Sequence, residues 1–125
     1  MSNTGTIASI LPGNRSSMVL FFKLLIGHAL ADFVLQSDTM ARAKDRHGDF
    51  AHTVSANFPP WYYWLGAHAL VHGGVVYLVT GSALLGAIEV VLHATIDYAK
   101  CERWIGFHQD QAAHLLCKLG YCFFV

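Results

Sequence analysis

Four apolar runs divide the chain, at about residues 17–38, 61–80, 82–100 and 106–125. Each approaches the ~20 residues that carry a helix across ~30 Å of hydrocarbon at 1.5 Å per residue. Before them, residues 1–16 (MSNTGTIASILPGNRS) are polar and rich in Gly and Ser, and read as a loose tail. The one long connection, 42–60, is charged and ends in Pro59-Pro60. TGS at 80–82 makes a tight turn and KCERWIG at 100–106 a short one. The pattern predicts an all-α, polytopic membrane protein: one four-helix transmembrane bundle over 17–125, with helices about 17–38, 61–80, 82–100 and 106–125.

Polar residues interrupt each run at a single spacing. His28, Asp32 and Gln36 lie in the first, His68 and His72 in the second, Glu89, His93 and Asp97 in the third, and Asp110, Gln111 and His114 in the fourth. Residues four apart share a helix face, so each helix carries one polar stripe and is otherwise compatible with lipid. Counting inward from cytoplasmic edges near residues 38, 61, 100 and 104 puts His28 and Asp32 at about 15 and 9 Å, and His68 and His72 at about 10 and 16 Å. His93 and Asp97 fall at about 10 and 5 Å, and Asp110 and His114 at about 9 and 15 Å. Helices running in opposite directions thus place their polar pairs in one slab. HALADF (28–33) and HATIDY (93–98) echo each other, as do HALVH (68–72) and DQAAH (110–114), which suggests two pseudo-symmetric helical hairpins.

Composition agrees with this picture. The chain is 54% hydrophobic and 13% charged, whereas a soluble domain carries roughly a quarter charged residues. Eight basic and eight acidic residues cancel, leaving no basic face for nucleic acid. Cys101, Cys117 and Cys122 form no CxxC pair or disulfide framework and read as reduced thiols. The small-x-small triplet that ends LIGHALA, just before Asp32, suggests a signal-peptide cleavage site, but Lys23 and His28 interrupt the apolar core such a peptide needs. A soluble bundle would show a polar helix face, which the second and third runs lack. Arg42, Lys44 and Arg46 in the first loop, with Lys100 and Arg103 in the third, put both loops in the cytoplasm and both termini outside. Trp61, Tyr62, Tyr63, Trp64 and Trp104 sit where an interfacial aromatic belt belongs.

The eight histidines are the anomaly in so apolar a chain. Ionisable residues inside a bilayer are costly and point to a functional site. Imidazole and carboxylate are ligands for zinc, manganese or iron. His28, Asp32, His68, His72, His93, Asp97, Asp110 and His114 are the expected metal ligands, enough for two divalent ions about 3.5–4 Å apart. Gln36 and Gln111 are expected to orient the imidazoles or ligand carboxylates. Glu89, on the same stripe near the midplane, reads as a proton carrier, a further ligand or a neutral acid. Lys23 and Lys118 are expected to snorkel to the outer headgroups. His47, His52 and His108 read as solvated loop or edge residues. Gly66, Gly73, Gly74, Gly86 and Ala87 are expected to let helices pack closely.

These spaced motifs, GHALADFVLQSDTMARAK, HALVH, HATIDYAK and DQAAH, resemble the family catalogued as domain of unknown function 3307, over about residues 20–116. The resemblance implies a small bacterial or phage four-helix protein of the cytoplasmic membrane and carries no activity with it. The residues matching its pattern are His28, Asp32, Gln36, His68, His72, His93, Asp97, Lys100, Asp110, Gln111 and His114. Glu89 stands outside that pattern.

The leading functional expectation is a metal-dependent hydrolase acting on a lipid-linked or headgroup phosphate ester. Lys100, with Arg103, would hold the phosphate, and Glu89 and Lys100 are the expected catalytic residues beside the metal. Two alternatives belong to other classes. One is movement of ions, protons or metal along the His/Asp/Glu chain. The other is a non-enzymatic membrane subunit or phage-encoded envelope modifier, with the polar cluster as a staple, in a homo-oligomer or larger complex.

Overall fold

A computed structural model describes residues 14–50 and 56–125 of the chain. Most of the expected tail and His52 lie outside them. The described residues are helical, with no strand among them. Helix α1 (Asn14–Ala29) runs directly into a π-helical turn (Leu30–Val34), and α2 (Asp38–Ala43) follows after a bend. Three long helices complete the fold: α3 (Trp61–Thr80), α4 (Ala83–Cys101) and α5 (Phe107–Tyr121). They pack as a closed ring in which α1 meets α3, α3 lies along α4, α4 meets α5, and α5 returns to α1. The π-turn and α2 both rest on α3.

Local chemistry sets the helix ends. Pro60 is the N-cap of α3, in extended backbone, and Gly81 ends the helix with φ 72°, a left-handed conformation that glycine adopts without a Cβ clash. Ser82 then caps α4, its hydroxyl accepting the Leu85 N–H at 3.2 Å. Gln109 Oε1 accepts the Gly106 N–H at 2.9 Å and closes the first turn of α5.

The first apolar run departs from the straight helix expected to reach residue 38. The Leu35 N–H reaches back five residues to the Leu30 carbonyl at 2.8 Å, widening the last turn. The chain then bends so that Ser37 can cap α2, accepting the Met40 N–H at 3.1 Å. The last helix stops at Tyr121, short of the chain end.

Burial is inverted relative to an ordinary globular core. Leu24, Val76, Leu85 and Tyr121 form a small apolar cluster. The rest of the interior is dominated by His28, Asp32, His68, His72, Glu89, His93, Asp97, Asp110, His114 and Lys118. Large apolar side chains point outward instead, among them Phe22, Leu70, Leu78, Leu84, Val91 and Leu116, with Leu78 as much as 80% exposed. One stretch among the described residues, Ser16–Val34, is long and apolar enough by itself to cross a membrane (19 residues, mean hydropathy 1.7).

The tightest contact in the ring is glycine on glycine. A Cβ on Gly73 would meet Val90 Cγ2 at 2.3 Å and the Gly86 carbonyl oxygen at 2.6 Å, while one on Gly86 would meet the Gly73 oxygen at 2.8 Å. Backbone cannot swing aside as a side chain can, so α3 and α4 must part to admit a methyl. Gly73→Ala is expected to cost about 1–3 kcal/mol, as overpacking does, read as earlier thermal unfolding in detergent. Gly66 and Gly74 have open space at the same position, so close packing does not account for them.

Candidate metal centre

The four stripes converge inside the ring. His28 and Asp32 come from α1 and its π-turn, His68 and His72 from α3, Glu89, His93 and Asp97 from α4, and Asp110 and His114 from α5. All nine are buried. The imidazoles stack into one another: His72 on His93 with ring centroids 3.5 Å apart, and His93 on His114 at 4.2 Å. His28 lies 5.3 Å from both His72 and His114, and His68 4.7 Å from His72.

Three sets of donor atoms lie within 4.8 Å of one another: Asp32, His68, His72 and His93; Glu89, His93 and His114; and Asp97, Asp110 and His114. A tetrahedral zinc with ~2.1 Å bonds needs donors about 3.4 Å apart, so the first set requires a modest contraction. The donor chemistry fits such an ion. His72 Nε2, His28 Nδ1, Asp97 Oδ1, Asp110 Oδ1 and both ring nitrogens of His93 and of His114 are buried without a hydrogen-bond partner. Buried polar atoms are normally satisfied, so a concentration of orphans in one place calls for something to satisfy them.

Around the donors sits a supporting layer. Gln111 Nε2 donates to Asp32 Oδ2 at 2.8 Å and to Asp110 Oδ2 at 3.1 Å, which fixes the amide orientation. Its Oε1 therefore accepts from His28 Nε2 at 3.1 Å, leaving His28 Nδ1 buried without a partner; His28, expected as a ligand, belongs to none of the three donor sets. Gln36 acts on a different group: its Nε2 donates to the Asp32 backbone carbonyl at 2.9 Å and its Oε1 accepts from Lys44 Nζ at 2.5 Å.

Lys44 is the residue that sequence reasoning missed, since it counted there only as a loop cation. The bend after the π-turn carries it inward, where it is 3% exposed and donates to Asp97 Oδ2 at 2.5 Å. Lys100 lies at the rim, 3.6 Å from Asp97 Oδ1 and 3.3 Å from Asp110 Oδ2. Lys118 corrects an expectation. Instead of reaching out to headgroups it is 1% exposed and donates to Glu89 Oε1, while the Tyr121 hydroxyl donates to Glu89 Oε2 at 2.6 Å. A buried carboxylate one turn from His93 attracts the ammonium more strongly than a distant interface, because pairing removes the cost of both buried charges. The one signal in the sequence was that Glu89 and Lys118 both interrupt apolar runs.

Lys44, Lys100 and Arg103 open onto a pocket of about 300 Å³, completed by Gln36, Ala41, Asp45 and Cys101. Its rim is tied by ion pairs. Arg103 stands in left-handed backbone, φ 66°, where its guanidinium donates to the Cys101 carbonyl and to Asp45 Oδ2 at 2.8 Å. Arg46 Nε and Nη2 donate to Glu102 at 2.5 and 2.9 Å, with His47 Nε2 3.2 Å away. Hydrogen bonding to Arg46 is the main reason the Glu102 carboxyl is held at about 2, against an ordinary 4.5. A carboxyl lowered on folding stabilises above its unfolded value, and that contribution disappears as the pH falls through the folded one. The 45–48 loop is therefore expected to stay anchored above about pH 4.5 and to loosen towards pH 2, read as faster amide exchange of those residues. Arg46→Ala should shift that loosening to higher pH.

No curated protein and no solved structure matches the chain. A family model described as Protein of unknown function (DUF3307) matches residues 20–119, a span that takes in the whole cluster from His28 to Lys118.

Proposed function

This chain belongs to the DUF3307 family, and from its own residues we propose a four-span protein of the bacterial cytoplasmic membrane whose buried His/Asp cluster holds one or two divalent metal ions and hydrolyses a phosphate ester at headgroup depth. The membrane reading is supported by the inverted burial: ionisable side chains line the interior while leucine, valine and phenylalanine cover the outside. In water that exterior would be a large exposed apolar patch; in lipid it is solvated. Helices α3 and α4 lose mean apolarity to the ionisable residues they turn inward, and α5, at 15 residues, is itself shorter than the ~20 residues of a simple span. Exposed Tyr62, Tyr63 and Trp104 ring the end that carries the basic pocket, as an aromatic belt at the cytoplasmic interface does. Both termini are then extracytoplasmic.

One observation carries the metal reading. The cluster holds four carboxylates, Asp32, Glu89, Asp97 and Asp110, facing three ammonium groups, Lys44, Lys100 and Lys118. The carboxylate left over is Asp32, whose ion-pair partners among the described residues are all imidazoles: His68 at 3.3 Å, His72 at 3.6 Å and His28 at 3.8 Å. A buried anion needs a countercharge. A divalent ion on Asp32, His68, His72 and His93 supplies it and satisfies two of the orphaned nitrogens, His72 Nε2 and one on His93.

Such an ion would polarise a phosphoryl oxygen and make water nucleophilic near neutral pH. The chain's own residues do the rest. The basic pocket admits an anion of phosphate size, and Lys44, Lys100 and Arg103 surround it. A second cation held by Asp97, Asp110 and His114 would compete with Lys44 and Lys100 for the two carboxylates and leave both ammonium groups free to hold the phosphate. Hydrolysis would form a bond from the water oxygen to phosphorus and break the bond to the alcohol, one water proton departing on the alcohol and the other passing to solvent. Elemental analysis of detergent-purified protein is expected to find one or two equivalents of zinc, manganese or iron, and release of phosphate from phospholipid headgroup esters should stop on chelation. Metal-free protein that is fully folded would remove the reading.

A second reading, a non-enzymatic membrane subunit, is favoured by the three lysines that already neutralise three carboxylates. Under it the cluster only staples the helices, and loss of any member lowers yield without an activity to lose. Ion movement gains less support, because Leu24, Val76, Leu85 and Tyr121 fill the interior at the far end.

A further inference from the structure

Glu89, Lys118 and Tyr121 are the buried polar groups that the proposed reaction does not use, and they form a unit. Glu89 Oε1 takes the Lys118 ammonium and Oε2 takes the Tyr121 hydroxyl at 2.6 Å, so both carboxylate oxygens are occupied by donors. Its remaining polar neighbours are two imidazoles: His114, which shares a donor set with it, and His93, with Nδ1 3.3 Å from Oε1 but out of line for a hydrogen bond. His93 is the ring at the centre of the cluster, stacked between His72 and His114 and shared by two of the three donor sets.

We infer that Glu89 is the positioning residue of His93: it accepts the Nδ1 proton and so turns the Nε2 lone pair towards the metal, while Lys118 and Tyr121 hold the carboxylate in place. The inference rests on the metal reading above and goes beyond it, since the same atoms also allow Glu89 to be a ligand. Two features favour the positioning role. A cation at Glu89 would have to share an oxygen with the Lys118 ammonium or the Tyr121 hydroxyl and, beside the ammonium, meet a like charge, whereas one more N–H from an imidazole adds to the same pattern. And a carboxylate behind a ligating histidine is the usual device for setting its tautomer and raising its basicity. A small rotation of the ring, of the kind a bond at Nε2 would impose, brings Nδ1–H into line.

The test uses cobalt(II) added to the chelator-stripped, full-length protein in detergent, with visible absorption and elemental analysis as readouts. Glu89→Gln is expected to bind the same number of cobalt ions as the wild type, about 10–100-fold more weakly, with a displaced absorption band. Gln can still accept a hydrogen bond, but weakly, and leaves Lys118 unpaired. The double variant Glu89→Gln/Lys118→Met removes both charges together and serves if the single variant does not fold; the same weakening and spectral change are expected of it. Loss of one whole cobalt equivalent would make Glu89 a ligand and overturn the inference, as would wild-type affinity and spectrum in either variant. A wild-type protein that binds no cobalt overturns the metal reading itself and this inference with it, an outcome separable from the others because it appears before any substitution is made.

Discussion

Asp32→Asn is expected to purify folded and almost free of metal, with affinity reduced by more than the roughly 100-fold that marks loss of an outer-layer partner. The reason is electrostatic. Asp32 is the cluster carboxylate whose ion pairs among the described residues are all to imidazoles, those of His28, His68 and His72. Asn keeps the shape and can still accept the Gln111 amide hydrogen bond now made at 2.8 Å, so the helices should assemble. What disappears is the anion that makes the set of imidazoles attractive to a dication. Elemental analysis beside thermal unfolding separates the two effects: metal lost with the fold intact supports the centre, while equal loss of both supports the staple. Gln36→Ala is the matched control, because its side chain contacts the Asp32 carbonyl and Lys44 rather than any proposed ligand atom. Its metal content should stay close to that of the wild type.

Lys118→Met is expected to be the most destabilising single change at the end of the bundle away from the basic pocket, at about 3–5 kcal/mol, because it strands Glu89 as an uncompensated buried charge. In a domain of this size that corresponds to a fall on the order of 10 °C in Tm, measured by thermal unfolding in detergent. Adding Glu89→Gln should restore most of the loss, since removing both partners of a buried pair is far cheaper than removing one. A Lys118→Met protein as stable as the wild type would return this lysine to the snorkelling role its position in the chain suggested. The double variant has a second use, because it separates the stability of the ion pair from its effect on His93.

Much of the site can be read along the chain because helix geometry is local. A backbone that repeats every 3.6 residues puts His28 with Asp32, His68 with His72, His93 with Asp97 and Asp110 with His114 on common faces whatever surrounds them. The inward stripe and the outward leucines are therefore two views of one periodicity. Short turns at 81–82 and 102–106 then oblige successive helices to lie side by side, which brings the stripes to one level. Gln111 could be placed for the same reason, one residue from Asp110 on the same turn.

The partners of the carboxylates lie beyond the reach of that argument. Lys44 and Asp97 are 53 residues apart, and Lys118 and Glu89 are 29 apart. Which cation meets which anion depends on how helices rotate and where the chain bends, and spacing within one helix carries no record of either. The π-turn is the sharpest case. HALADF and HATIDY look alike in sequence, yet the first copy widens at Leu30–Val34 and the second continues as regular α-helix. That widening precedes the bend that delivers Lys44 to the interior. The sequence alone determined which residues of each stripe share a helix face, because that follows from the pitch of a single helix. Only the tertiary structure decided which charges are balanced and which one is left open, because that balance is struck between helices.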